Sequence, residues 1–193
     1  YLGDINGSSV DSTDTDVYRI NVSSGAPVTI ASAPQSNALT TTVRLSYLED
    51  FENGPLGPEW TTSSTGGGRI EVTGTRGGPV HSGSAHLTLD DSVALGAVER
   101  NQAVLTLNLT PGIGSQLSFW HKNSDASNDP LPSTFTGNVN GDGVSISADG
   151  TNWHKVSDLI GVKGVYTREV IDLDAAATAA GITLGANFRI KFQ

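Results

Sequence analysis

The sequence predicts an all-β fold, a sandwich or a barrel of short strands. Apolar and polar residues alternate with period two in one segment after another, the signature of strands with one buried face. These segments are short, and Gly, Asn, Asp or Pro closes each of them. Glycine alone supplies 23 of the 193 residues, and Ser and Thr are frequent, a composition that favours strands and turns over helices. Strands do not alternate with helical segments, which sets aside a doubly wound parallel sheet.

Taken in order, "DVYRINV" (Asp16 to Val22) puts Tyr18, Ile20 and Val22 on one face, and "APVTIAS" follows the turn "SSGAP". The two read as a hairpin with Gly25 in its turn. "TTTVRLSYL" (Thr40 to Leu48) is a further strand. "EDFENGPLGPEW" (Glu49 to Trp60) reads as the start of a strand followed by a Gly/Pro loop. Then come the strand patterns "GRIEVTGT", "SAHLTLDD", "RNQAVLTLNL", "SQLSFWHK", "DGVSISAD", "NWHKVSDL", "YTREVIDL" and "NFRIKFQ". One helix is expected, in "DAAATAAGI" (Asp174 to Ile182), with Asp174 as N-cap, an alanine run and Gly181 at the C-cap. Asn123 to Gly143 is the longest irregular stretch.

Composition narrows the function classes. The net charge is −9, from 20 acidic and 11 basic residues. Such a chain repels phosphate backbones, so no nucleic-acid partner is expected. No apolar run is long enough for a spanning helix, and no membrane insertion is expected. The absence of cysteine removes disulfides, thiolate zinc sites and a cysteine nucleophile. The absence of methionine, even at position 1, reads as a segment of a larger multidomain chain. "RIKFQ" ends in mid-strand by its pattern, so the domain is expected to continue or to have been cut there.

Two stretches carry family resemblances. "DTDVYRINVSSGAPVTI" and "LTTTVRL" make residues 1–46 similar to part of the bacterial pre-peptidase C-terminal domain, although "SYLEDFENG" replaces the continuation that family shows after Leu45. "EDFENGPLGPEW", "SGSAHLTLDD", "QLSFWHK" and "DGVSISADGTNWHKV" make residues 49–193 resemble jelly-roll modules of the MAM and reelin-repeat type. The resemblance implies two parts, a β segment over 1–46 and an antiparallel jelly-roll β-sandwich over 47–193. It also implies a secreted or cell-surface bacterial protein used for adhesion or recognition, and a structural calcium ion near the chain entry.

Calcium needs six to eight oxygen ligands, several of them carboxylates. On the strand reading of "EDFE", Asp50 and Glu52 share one face and Phe51 points the other way. Asp90 ends the strand "LTLDD", and Asp142 starts the one after "NGDG". Under the resemblance these segments converge at one edge, making Asp50, Glu52, Asp90 and Asp142 the candidate ligands of Ca2+. The alternative is that they are solvated turn acids. Asp125, Asp129, Asn138 and Asn140 are further oxygens in the long loop. No Asp-rich loop ends in the Glu an EF-hand requires. "VSISADGTNWHKV" reads as a hairpin turned at Asp149-Gly150, which leaves only "NGDG" as metal candidate there.

Glycan recognition needs an exposed aromatic face beside polar groups. Trp120 shares the polar face of "LSFWHK" with Ser118 and Lys122, and Trp153 follows the "ADGTN" turn. Both are candidate ligand-binding residues, with core or hairpin packing as the alternative for each. Neither G-x-S-x-G nor H-E-x-x-H occurs, and the Gly-rich stretch from Thr65 to Val80 leads into no helix with a Lys, so no catalytic or phosphate-binding motif stands out. The expected function is a non-catalytic extracellular module that binds glycan or protein. A polysaccharide-active jelly-roll enzyme and a spacer domain of a secreted peptidase are the alternatives.

Overall fold

Strand β10 (Phe188–Phe192) organises the molecule from the middle of its largest sheet. The computed structural model describes residues 47–91, 99–123 and 129–193. The chain divides into two units, Tyr1–Glu49 and Asp50–Gln193. The hairpin expected around Asp16 to Val22 lies outside the described residues, as does the whole of the 1–46 segment.

Within Asp50–Gln193 the described residues form ten strands and one short helix: β1 (Trp60–Ser64), β2 (Gly68–Thr73), β3 (His86–Asp91), β4 (Asn101–Leu107), β5 (Gln116–His121), β6 (Thr134–Thr136), β7 (Val144–Ser147), β8 (Asn152–Ser157), β9 (Thr167–Asp172), α1 (Leu173–Ala180) and β10. One six-stranded sheet has the order β1-β4-β10-β7-β8-β6, and β2-β3 and β5-β9 form two-stranded ribbons. Every strand pairing is antiparallel. The protein is thus an all-β antiparallel sandwich. β4 lies between β1 and β10.

The registers sort the large sheet into two faces. Ile190 lies opposite Leu105 and Ile146, and Phe192 opposite Ala103 and Val144. All six are apolar, and Phe192 meets inward-pointing Phe119 of β5 edge-on at 5.2 Å between ring centroids. That contact joins the β5-β9 ribbon to the sheet as the second layer. On the reverse face Lys191 lies opposite Val104 and Ser145. A strand of the "VSIS" type normally wets one side, yet both faces of β7 are buried. The segment 130–143 covers the reverse face and adds a small core of Leu131, Phe135 and Trp153, with Val104 and Val139 packed against it.

Several local expectations need correction. "EDFE" is not a strand: residues 47–50 are irregular, 51–54 form a turn, and Phe51 takes a left-handed φ of 63°. β1 begins at Trp60, where a loop was expected to end, and β6 lies within the stretch read as irregular. α1 is capped by Asp172, not Asp174. The Asp172 carboxylate accepts from the Ala175 amide at 2.9 Å, which satisfies one of the open donors of the first turn. Asp174 instead reaches back, accepting from the Gly112 and Ser115 amides at 2.6 Å each. Gly181 ends the helix in the left-handed conformation, as expected.

Candidate functional site

The four carboxylates expected to share a cation have separate partners. Asp50 folds onto its own turn, accepting from the Glu52 amide at 3.1 Å and the Asn53 side chain at 3.4 Å. Glu52 is clasped by the loop before β3. It accepts from the Ser84 amide at 2.9 Å, the Ala85 amide at 3.1 Å and the Ser84 hydroxyl at 2.5 Å. These bonds hold its carboxyl below the usual range, the Ser84 side chain having the largest effect. Gly83 makes the clasp possible, since its φ is +70° and a Cβ there would collide with the Glu52 carboxylate.

Asp90 forms a two-pronged ion pair with Arg69 across the β2-β3 ribbon, at 2.8 and 2.5 Å. Asp142 accepts from the Asp129 amide at 3.1 Å, while its own amide donates to the Asp129 carbonyl at 2.5 Å. Among the described residues no three His, Asp or Glu side chains gather as metal ligands do.

The "GNVNGDG" loop does enclose a positive charge, but a covalently attached one. Lys191 is 1 % exposed. Its ammonium donates to the Gly137 carbonyl at 3.1 Å and to Asn138 Oδ1 at 3.4 Å. It also lies 3.8 Å from the centroid of the Trp153 ring and 5.1 Å from that of Phe135, where ring quadrupoles attract a cation. The Gln193 side chain donates to the carbonyls of Val139 and Gly141. β10 and the residue after it thus supply the donors that the loop oxygens need. Burial pushes Lys191 down to about 8, with repulsion from Arg100 adding to it.

Trp153 is therefore not available to a ligand: it is 3 % exposed and forms part of the small core under Lys191. It follows the turn as expected, and the packing alternative holds, because the segment from residue 130 onward folds over that face. The turn itself is as expected. The Asp149 carboxylate accepts from the amides of Thr151 and Asn152 at 2.7 and 2.8 Å, and these bonds hold its carboxyl far below the usual range.

Trp120 is the other case, 48 % exposed on the outward face of the β5-β9 ribbon. In cross-strand register Trp120 lies opposite Arg168 and Ser118 opposite Val170. Just beyond the paired residues, Lys122 and Tyr166 meet, with the ammonium 4.6 Å from the ring centroid. The loop before β3 folds onto this end. His81 stacks on Trp120 at 4.2 Å and meets Tyr166 edge-on at 5.1 Å. Lys122 donates to the Pro79 carbonyl at 2.8 Å. His86 bridges the Tyr166 hydroxyl at 2.9 Å and the Arg76 carbonyl at 2.8 Å. Burial raises the Tyr166 phenol above its ordinary value. The result is an open aromatic platform whose side chains are held in place.

Of this set only Trp120 was singled out by alternation. Tyr166 and Arg168 share one parity in "YTREV", but nothing local says that this strand pairs with "LSFWH". His81 sits in a loop without periodicity. Comparison with known proteins finds no matching family model, curated protein or solved structure.

Proposed function

We propose that the chain is a non-catalytic, secreted or cell-surface module that binds glycan through the outward face of the β5-β9 ribbon. The observation that carries this reading is the half-exposed indole of Trp120, steadied by His81 and flanked by Arg168 and Ser118. Sugar rings present apolar C–H faces ringed by hydroxyls, so a fixed aromatic surface beside polar groups suits them. A ring that is already ordered loses little conformational entropy on binding. The jelly-roll likeness of residues 49–193, and a place in a larger extracellular chain, belong to the same proposal.

Affinity electrophoresis through gels containing soluble polysaccharides tests it. The 193-residue chain is expected to be retarded by at least one polysaccharide, and Trp120→Ala to run as in a blank gel with an unchanged melting temperature. Unretarded migration across a broad panel, with no signal on a glycan array, would remove the proposal.

A further inference from the structure

Resting on the glycan-binding reading, we infer that the ligand of the Trp120 face is an acidic glycan, one bearing carboxylate or sulfate groups. The whole chain carries −9, yet this face runs against that balance. Two cross-strand rows, Trp120 with Arg168 and Ser118 with Val170, and the Lys122–Tyr166 contact just beyond the paired residues contain two cations and no carboxylate. The neighbouring carboxylates are directed elsewhere. Glu169 lies on the opposite face of β9, 3.6 Å from His121, and Asp172 caps α1 at the far end of the strand. Arg168 is exposed and forms no ion pair among the described residues.

Arg168, the residue paired with Trp120 across the ribbon, therefore offers a planar fork of donors on the same face. That fork matches a carboxylate or sulfate two-pronged. A uronate ring lying on Trp120 would bring its C–H face to the indole and its acid group to Arg168. Lys122 gives one bond to the Pro79 carbonyl, and an ammonium has three donors, so it adds positive potential at the same end. In a protein otherwise acidic, such a face favours acidic over neutral chains, and its attraction is weakened by salt.

The experiment compares soluble polygalacturonate and alginate with xyloglucan and mannan, using the 193-residue chain, Arg168→Gln and Trp120→Ala. Binding to the acidic polymers, roughly tenfold or more weaker in Arg168→Gln and falling with added NaCl, is the expected result. Equal binding to neutral polymers, unchanged by Arg168→Gln but lost in Trp120→Ala, would overturn the acidic preference and leave the glycan reading standing. Acidic binding that survives both substitutions would place the site elsewhere and overturn the inference. No binding to any polymer would end both readings. Melting temperatures of the two variants, expected near that of the parent, separate lost binding from lost folding.

Discussion

Lys191 shows how a loop rich in oxygens can hold a cation that belongs to the chain itself. The "GNVNGDG" loop is rich in glycine and side-chain oxygens, and two of its oxygens, the Gly137 carbonyl and Asn138 Oδ1, face a cation, the ammonium of Lys191. Its position in "RIKF" marks it only as the non-apolar side of a strand. Its environment sets a pH dependence. The folded value is about 8 against an ordinary 10.5, so between the two the unfolded chain holds more protons and stability rises with pH. The contribution is complete above the unfolded value and is lost as pH falls through about 8. Relative to Lys191→Met, which has no such titration, the parent chain is expected to gain melting temperature between about pH 8 and pH 10. Parallel curves would contradict this. At Gly150 the constraint is backbone geometry: φ is +76°, and a Cβ would also press on Arg189. Gly150→Ala is expected to cost about 1–2 kcal/mol in urea unfolding, most of it from the left-handed backbone because the arginine tip can move.

The elements obey local rules where local chemistry suffices. The β7-β8 hairpin closes on Asp149-Gly150 because the Asp149 carboxylate and the Ser147 hydroxyl accept the turn amides. α1 starts earlier than expected because two aspartates compete for the cap. Asp172 is held at the end of β9 and supplies it, while Asp174 is drawn to the Gly112–Ser115 turn. Asp172→Ala is expected to lower stability by about 1 kcal/mol, seen as an earlier urea midpoint and faster amide exchange at Ala175. Where an element depends on distant partners, periodicity misleads. "EDFE" alternates like a strand but closes into a turn instead of joining a sheet. β6, only three residues long, carries too little pattern to be noticed and exists because β8 offers it an edge.

Across the molecule as a whole, stability converges on β10, which is paired on both sides and apolar on one face. Ile190, 1 % exposed, sits between Leu105 and Ile146. Ile190→Ala is expected to cost about 2–5 kcal/mol, measured by chemical denaturation, far more than a substitution at exposed Val170. The fold class, the helix and most strands were legible in the sequence, because period-two alternation, an alanine run and turn residues report burial and backbone preference within a few neighbouring residues. Trp120 on an open polar face was legible for the same reason. Which strands pair, and what covers each face, is settled only in the folded molecule. Pairing β5 with β9 sets Arg168 opposite Trp120, and the loop before β3 brings His81 onto the indole. The segment 130–143 buries Trp153, and Asp50, Glu52, Asp90 and Asp142 each find a separate partner. These outcomes depend on contacts between residues far apart along the chain, and alternation carries no record of register between one strand and another.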